Sequence, residues 1–181
     1  MPYSLPWLLQ QPRAATKYLY FWGHQPRQTG VVDKSCFSQW YPAAFAVAGD
    51  TYATAEHWMM AEKARLFGND DVRQRIIAAQ HPAEAKKLGR EVINFDPQVW
   101  DAQKYDLVKA GNQQKFSQHP FLKDYLLTTG SRVLVEASPV DTIWGIGLAV
   151  DHPDATQPAK WPGENLLGFA LMEVRDQLRS S

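Results

Sequence analysis

Paired cysteines are what this chain most plainly lacks. Cys36 is the only cysteine among 181 residues, so no intrachain disulfide can form and a small secreted domain stapled by such bridges is excluded. The expected compartment is a reducing cytoplasm. Net charge is missing too: nineteen basic and nineteen acidic side chains cancel, which removes the global positive field of a general nucleic-acid binder. No apolar run approaches the ~18 residues that span a bilayer; the longest stretches resemble Ala43 to Ala48. Residues 1–16 contain Trp7, Leu8 and Leu9 but also Pro2, Pro6 and Pro12, without a basic start, so they are expected to be an N-terminal arm and not a signal peptide.

Familiar catalytic signatures are absent as well. There is no Gly-x-x-x-x-Gly-Lys loop, no Gly-x-Gly-x-x-Gly, no His-Glu-x-x-His and no Gly-x-Ser-x-Gly. The five histidines are scattered, with none paired at metal-ligand spacing, so no metal is expected. Cys36 has no evident activating base nearby in sequence and is not taken as a nucleophile. Nothing calls for a cofactor.

What is present is an ordinary folded composition, 45% hydrophobic and 21% charged. The length suits one domain, over residues 17–181 after the arm. Tyr18, Tyr20 and Trp22 alternate as in a strand, and Phe45 to Val47 and Thr51 to Ala53 flank Gly49 and Asp50 as in a small hairpin. Helical signals then dominate. Thr54 is placed to cap a helix ending at Gly68, Asp70 or Asp71 to cap a second, and Pro82 to start a third ending near Gly89. Asp96 and Pro97 open a long helix with Trp100, Lys104, Val108, Gly111 and Lys115 along one side, and Pro120 opens another that stops at Gly130. A buried strand follows at Val133 to Val135. Leu167, Leu171, Val174 and Leu178 mark an amphipathic C-terminal helix.

Five polar positions bear on chemistry. Glu56 and Lys63, seven residues apart on the first confident helix, point the same way with α-carbons ~10 Å apart, so a substrate can lie between them. The plainer alternative is a surface pair, Glu56 complementing the helix dipole and Lys63 lying along Met59 or Phe67. Asp141 projects beside glycines just after a strand, either as a catalytic carboxylate or as a turn residue, with Trp144 then a core anchor. Asn165 stands at the start of the last helix, where it either caps that helix or, with Gly163 and Gly168 nearby, helps an anion approach backbone amides. Glu136 flanks a Val-Leu-Val run and is expected to need a partner.

Taken in order, these residues resemble the NADAR (YbiA-like) family. The resemblance runs through Phe37-Ser-Gln-Trp40-Tyr, Tyr52-Ala-Thr-Ala-Glu56-His-Trp-Met-Met-Ala-Glu-Lys63-Ala, Gly89-Arg90, Trp100 and Lys115-Phe116. It continues through Leu126-Leu-x-Thr128, Leu134-Val-Glu136-Ala-Ser-Pro-x-Asp141-x-x-Trp144-Gly145-x-Gly147 and Asn165-x-Leu-Gly168-x-x-Leu-Met-x-x-Arg175. Residues before Lys17 and the 151–160 segment lie outside it.

The resemblance implies an α+β fold, predominantly helical with a few short strands, and a hydrolase cleaving N-glycosidic bonds to ribose-type sugars. It implies ribosylamino-pyrimidine phosphates, early riboflavin-pathway intermediates, as substrates in a damage-control role. Two alternatives stand beside this: removal of ADP-ribose from guanine, and a module that binds ADP-ribose or a nucleotide without cleaving it. The same resemblance points to Glu56, Lys63 and Asp141 as catalytic, and to Trp40, Arg90, Trp100, Lys115, Glu136, Trp144, Gly145 and Asn165 as substrate-binding. Cleaving a ribosyl C–N bond builds positive charge on the sugar, which a carboxylate stabilises; a deprotonated Lys63 attacking the anomeric carbon is the other expected route.

Overall fold

The computed structural model describes residues 1 to 180. Its architecture is α+β and mainly helical, as expected, with the chain grouped into two compact units.

One unit comprises Met1–Ser38 and the chain from Phe121 onward. Its sheet has two strands, β1 (Tyr18–Phe21) and β4 (Val133–Glu136), paired in parallel from Tyr18↔Val133 to Phe21↔Glu136. Sequence periodicity located both strands but not their pairing, because the partners lie more than a hundred residues apart. On β4 packs α7 (Leu166–Arg179). This helix is less amphipathic than its Leu/Val stripe suggests: every residue from Leu166 to Arg175 is buried, Glu173 and Arg175 included. Arg175 makes its position tolerable by donating from Nη1 to Thr129 Oγ1 (3.0 Å) and the Arg132 carbonyl (2.8 Å). The α6 helix is Pro120–Thr128.

The N-terminal arm is partly helical. Ser4 caps α1 (Leu5–Leu9), which packs on a short 3-10 turn at Pro158–Lys160, and the Tyr3 hydroxyl bonds the Asp176 carboxylate. Ala155 in the 151–160 segment receives hydrogen bonds on its carbonyl from the Tyr20 hydroxyl and Trp161 Nε1. The arm and the 151–160 segment thus pack on each other.

The other unit spans Gln39–Pro120. Strands β2 (Phe45–Val47) and β3 (Asp50–Tyr52) form an antiparallel hairpin with Val47 opposite Asp50. The turn is therefore Ala48-Gly49 and not Gly49-Asp50. Both turn residues have positive φ (51° and 91°), the mirror-image turn that suits strand twist, while Asp50 is freed to bond Arg73.

Thr54 caps α2 (Ala55–Leu66), and Gly68 beyond its end takes φ 69°. The next helix, α3 (Asp70–Ala78), starts one residue earlier than capping by aspartate requires: Asn69 is the cap position, and Asp70 and Asp71 lie in the first turn, complementing the dipole. The following helices are α4 (Pro82–Leu88) and α5 (Pro97–Gln118). Asp96 Oδ1 caps α5 by accepting from Gln98 N and Val99 N. Helix α2 packs on α3, α4 and α5. Its crossing of α5 is close because Gly111 has no side chain: a Cβ there would lie 2.3 Å from Trp58 Cδ1, and Trp58 Nε1 donates to the Leu107 carbonyl.

Among the described residues, no helix is long and apolar enough to cross a membrane.

Candidate active site

Helix α2 carries the two catalytic candidates of the Gln39–Pro120 unit, Glu56 and Lys63. Glu56, in its first turn, is only 3% exposed, which rules out the surface-pair alternative. Its backbone N–H donates to the Gln39 carbonyl at 2.9 Å, which ties Gln39 to the helix start. His57 beside it is fully buried and closed to chemistry. Its Nε2 faces the Ala79 carbonyl (3.1 Å), so that nitrogen must carry the proton, and Nδ1 then accepts from the Thr54 hydroxyl (2.8 Å). Burial pushes its pKa down.

Lys63 sits two turns further along, half-buried. Its Nζ donates to the Gly89 carbonyl at 2.8 Å and lies 4.4 Å from the centroid of the Phe95 ring. Among the described residues it forms no ion pair, and burial alone lowers its pKa. A lysine held by a neutral carbonyl and a ring face gives up its proton more readily than one held by a carboxylate. Gly89 approaches α2 closely; a Cβ there would meet Met60 Sδ at 2.3 Å.

Phe95 is held in place by its own loop. The Asn69 side chain accepts from Ile93 N (3.0 Å) and donates to the Ile93 carbonyl (3.1 Å), as a neighbouring strand would. Phe67 meets the Phe95 ring edge-on at 5.2 Å. Neither Asn69 nor Phe95 was singled out from the sequence, since a lone Asn before a helix reads as a cap.

Lys115, fully buried on α5, places its ammonium 5.5 Å from the Tyr41 ring centroid and 5.2 Å from that of Phe116. Lys86 stands 5.9 Å from the half-buried Trp40 ring. Arg90 is exposed just past α4, and Trp100 is half-buried in the first turn of α5. The Gln39–Pro120 unit contains Trp40, Glu56, Lys63, Arg90, Trp100 and Lys115.

The other unit holds Glu136, Asp141, Trp144, Gly145 and Asn165. Asp141 Oδ1 accepts from Ile143 N (2.9 Å) and Trp144 N (2.8 Å), the bonding of a turn-forming aspartate. Asn165, with no exposed surface and φ 56°, does not cap α7 through its side chain. Its Oδ1 accepts from Glu136 N and its Nδ2 donates to the Leu134 carbonyl, both at 2.9 Å. The side chain therefore continues the sheet at the edge of β4.

Nor is the start of α7 open to an anion. The amides of Asn165, Leu166 and Leu167 already donate to the carbonyls of Gly145, Ile143 and Trp144. The nearby glycines serve close backbone packing: a Cβ on Gly163 would lie 2.3 Å from the Gly145 oxygen, on Gly168 2.1 Å from the Leu134 oxygen, and on Gly145 2.8 Å from the Glu136 oxygen. Glu136 is half-buried at the end of β4.

Comparison with known proteins accounts for this arrangement of motifs. The model of the NADAR domain matches residues 20–179. A protein named N-glycosidase R617, from Acanthamoeba polyphaga mimivirus, is 45% identical over 166 residues, covering 89% of this chain and 96% of its own. The maize protein named Riboflavin biosynthesis protein PYRR, chloroplastic, is 34% identical over 135 residues, covering 71% of this chain but 20% of its own length. Among solved structures, the NMR structure of the E. coli protein YbiA superimposes with a TM-score of 0.73 at 27% identity, covering 91% of this chain and 86% of the other.

Proposed function

This chain belongs to the NADAR domain family, and on that premise we propose that it is an N-glycosidase releasing the pyrimidine from ribosylamino-pyrimidine phosphates, the early intermediates of riboflavin synthesis. The N-glycosidase names of its relatives support the bond type, and the riboflavin-biosynthesis name of the maize relative supports the substrate.

The observation that carries the chemistry is Lys63: half-buried, without an ion pair among the described residues, shifted toward its neutral form, and on the same helix as the buried Glu56. Neutral Lys63 Nζ adds to C1′ of the ring-opened sugar. The C1′–N bond to the pyrimidine breaks, the amine proton passes to the leaving nitrogen, and an imine joins Lys63 to the sugar. Water then adds across the imine, releasing the free sugar phosphate and restoring the amine. Glu56 is the candidate to shuttle these protons and to stabilise positive charge on the sugar. Asp141, with one oxygen held by two amides, keeps its second oxygen as a further carboxylate candidate. Trp40, Trp100 and Trp144 offer ring faces for the base, and Arg90 and Lys115 offer positive charge for the phosphate. Glu136, Gly145 and Asn165 shape the backbone around Asp141 and Trp144 within their own unit.

The test is to incubate the purified protein with a ribosylamino-pyrimidine phosphate and, separately, with ADP-ribosylated guanosine, following free base and free sugar by mass spectrometry. Release from the first is expected. Release only from the second moves the substrate to ADP-ribosylated guanine, and tight binding without release makes the protein a reader.

A further inference from the structure

The middle of α5 holds an amide pair whose hydrogen bonding is incomplete. Asn112 has no exposed surface and Gln39 only 7%. Asn112 Nδ2 donates to the Val108 carbonyl at 2.9 Å and to Gln39 Oε1 at 2.8 Å. A carbonyl only accepts, so Asn112 must turn its nitrogen toward Val108, and Gln39 must then offer its oxygen to that nitrogen. Two atoms are left by elimination: Gln39 Nε2, a donor, and Asn112 Oδ1, an acceptor. Both are buried and neither has a protein partner.

A buried polar atom without a partner is a cost that an apolar side chain of the same shape avoids. Two such atoms on one pair are hard to explain as packing. Their location suggests what they serve, since the Gln39 carbonyl accepts the backbone N–H of Glu56 at 2.9 Å, and Lys115 follows Asn112 by one helical turn. A single group completes the pair if it accepts from Nε2 and donates to Oδ1. Ionised phosphate and carboxylate oxygens have no proton to donate, and an ammonium has no lone pair to offer; an O–H group, of a sugar or of the water it displaces, does both through one oxygen.

We propose that Gln39 and Asn112 form a receptor for one ribose hydroxyl of the substrate, which holds the sugar beside Glu56. The receptor rests on the N-glycosidase assignment above and names two substrate-contacting residues beyond it.

The test compares wild type with Gln39→Met, Asn112→Leu and the double variant on a ribosylamino-pyrimidine phosphate and on its 2′-deoxy and 3′-deoxy analogues, with melting temperature measured in parallel. The double variant is expected to melt no lower than wild type, since both unpartnered atoms are gone, whereas each single variant leaves part of the other amide unpartnered and melts lower; all three should lose about ten- to a hundredfold in kcat/KM on the full substrate. On the analogue lacking the bound hydroxyl, wild type and variants should be equal. Undiminished activity on the full substrate overturns the receptor, as does an equal penalty on both deoxy analogues. Should the apolar variants not fold, Gln39→Glu keeps the oxygen facing Asn112 and replaces only the free donor; it must show the same hydroxyl-selective loss, and full activity in it overturns the receptor. A wild type that cleaves nothing removes the N-glycosidase assignment and the receptor together, whereas an active wild type with indifferent variants removes the receptor alone.

Discussion

Lys63 Nζ lies 4.4 Å from the centroid of the Phe95 ring, so the amine proposed as nucleophile is roofed by a side chain from the loop that joins α4 to α5. That ring covers one side of an amine whose other contact is the Gly89 carbonyl, and burial is the cause of the lowered Lys63 pKa. Phe95→Ala admits water and returns the pKa toward that of a solvated lysine. The limb of the pH–rate profile on which activity rises as Lys63 loses its proton should then move to higher pH. A profile that stays in place would show that the ring does not govern the amine.

Replacing Lys63 separates charge from nucleophilicity. Lys63→Arg keeps the positive charge but cannot form an imine with the sugar, and Lys63→Met keeps only the stem. Both are expected to lose about a hundredfold or more in kcat while remaining folded. Borohydride reduction in the presence of substrate should add the mass of the sugar to wild type and to neither variant. Substantial turnover by Lys63→Arg would move the chemistry to Glu56.

His57 makes stability depend on pH. Its folded-state pKa lies below the unfolded value because burial disfavours the charged ring. The native state therefore binds fewer protons than the unfolded chain, and its stability is fully present above pH ~6.5 and falls as pH drops below that value. Urea denaturation at pH 7.5 and 5.5 should show lower stability at the acid end, with a smaller difference in His57→Gln. That variant should also cost about 1–3 kcal/mol at pH 7.5, as the Thr54 and Ala79 partners lose their imidazole.

Asn165→Ala removes both side-chain bonds to β4 and leaves the Leu134 carbonyl and Glu136 N–H without them. The expected loss is about 2–4 kcal/mol, seen as a melting temperature lower by roughly 5–15 °C for a chain of this size. Asn165→Asp is no rescue, because it has no donor for Leu134.

Two glycines provide an internal comparison. At Gly168 an added Cβ meets the backbone oxygen of Leu134 at 2.1 Å, whereas at Gly89 it meets the flexible sulfur of Met60 at 2.3 Å. Gly168→Ala should therefore destabilise by about 3 kcal/mol or more, and Gly89→Ala by about 1 kcal/mol. The reverse order in thermal melts would contradict the close packing of α7 against β4.

Local chemistry made much of this legible from the sequence. Thr54, Pro82, Asp96 with Pro97, and Gly68 mark helix ends because a cap bonds amides two or three residues away, and a proline or a left-handed glycine acts on its immediate neighbours. The motif order likewise pointed to the family, and with it to Glu56 and Lys63. Hairpin register was less readable: Ala48 in a left-handed conformation is unusual, and only the pairing of Val47 with Asp50 reveals it.

Tertiary structure alone decided the rest. It paired β1 with β4, folded the N-terminal arm onto the 151–160 segment, buried Glu56 and α7, and turned Asn165 from a cap into a sheet partner. It also left Gln39 and Asn112 with one free donor and one free acceptor. Periodicity and capping report interactions within a few residues, whereas burial and hydrogen-bond completion depend on groups brought together from distant parts of the chain; Asn112 meets Gln39 across 73 residues.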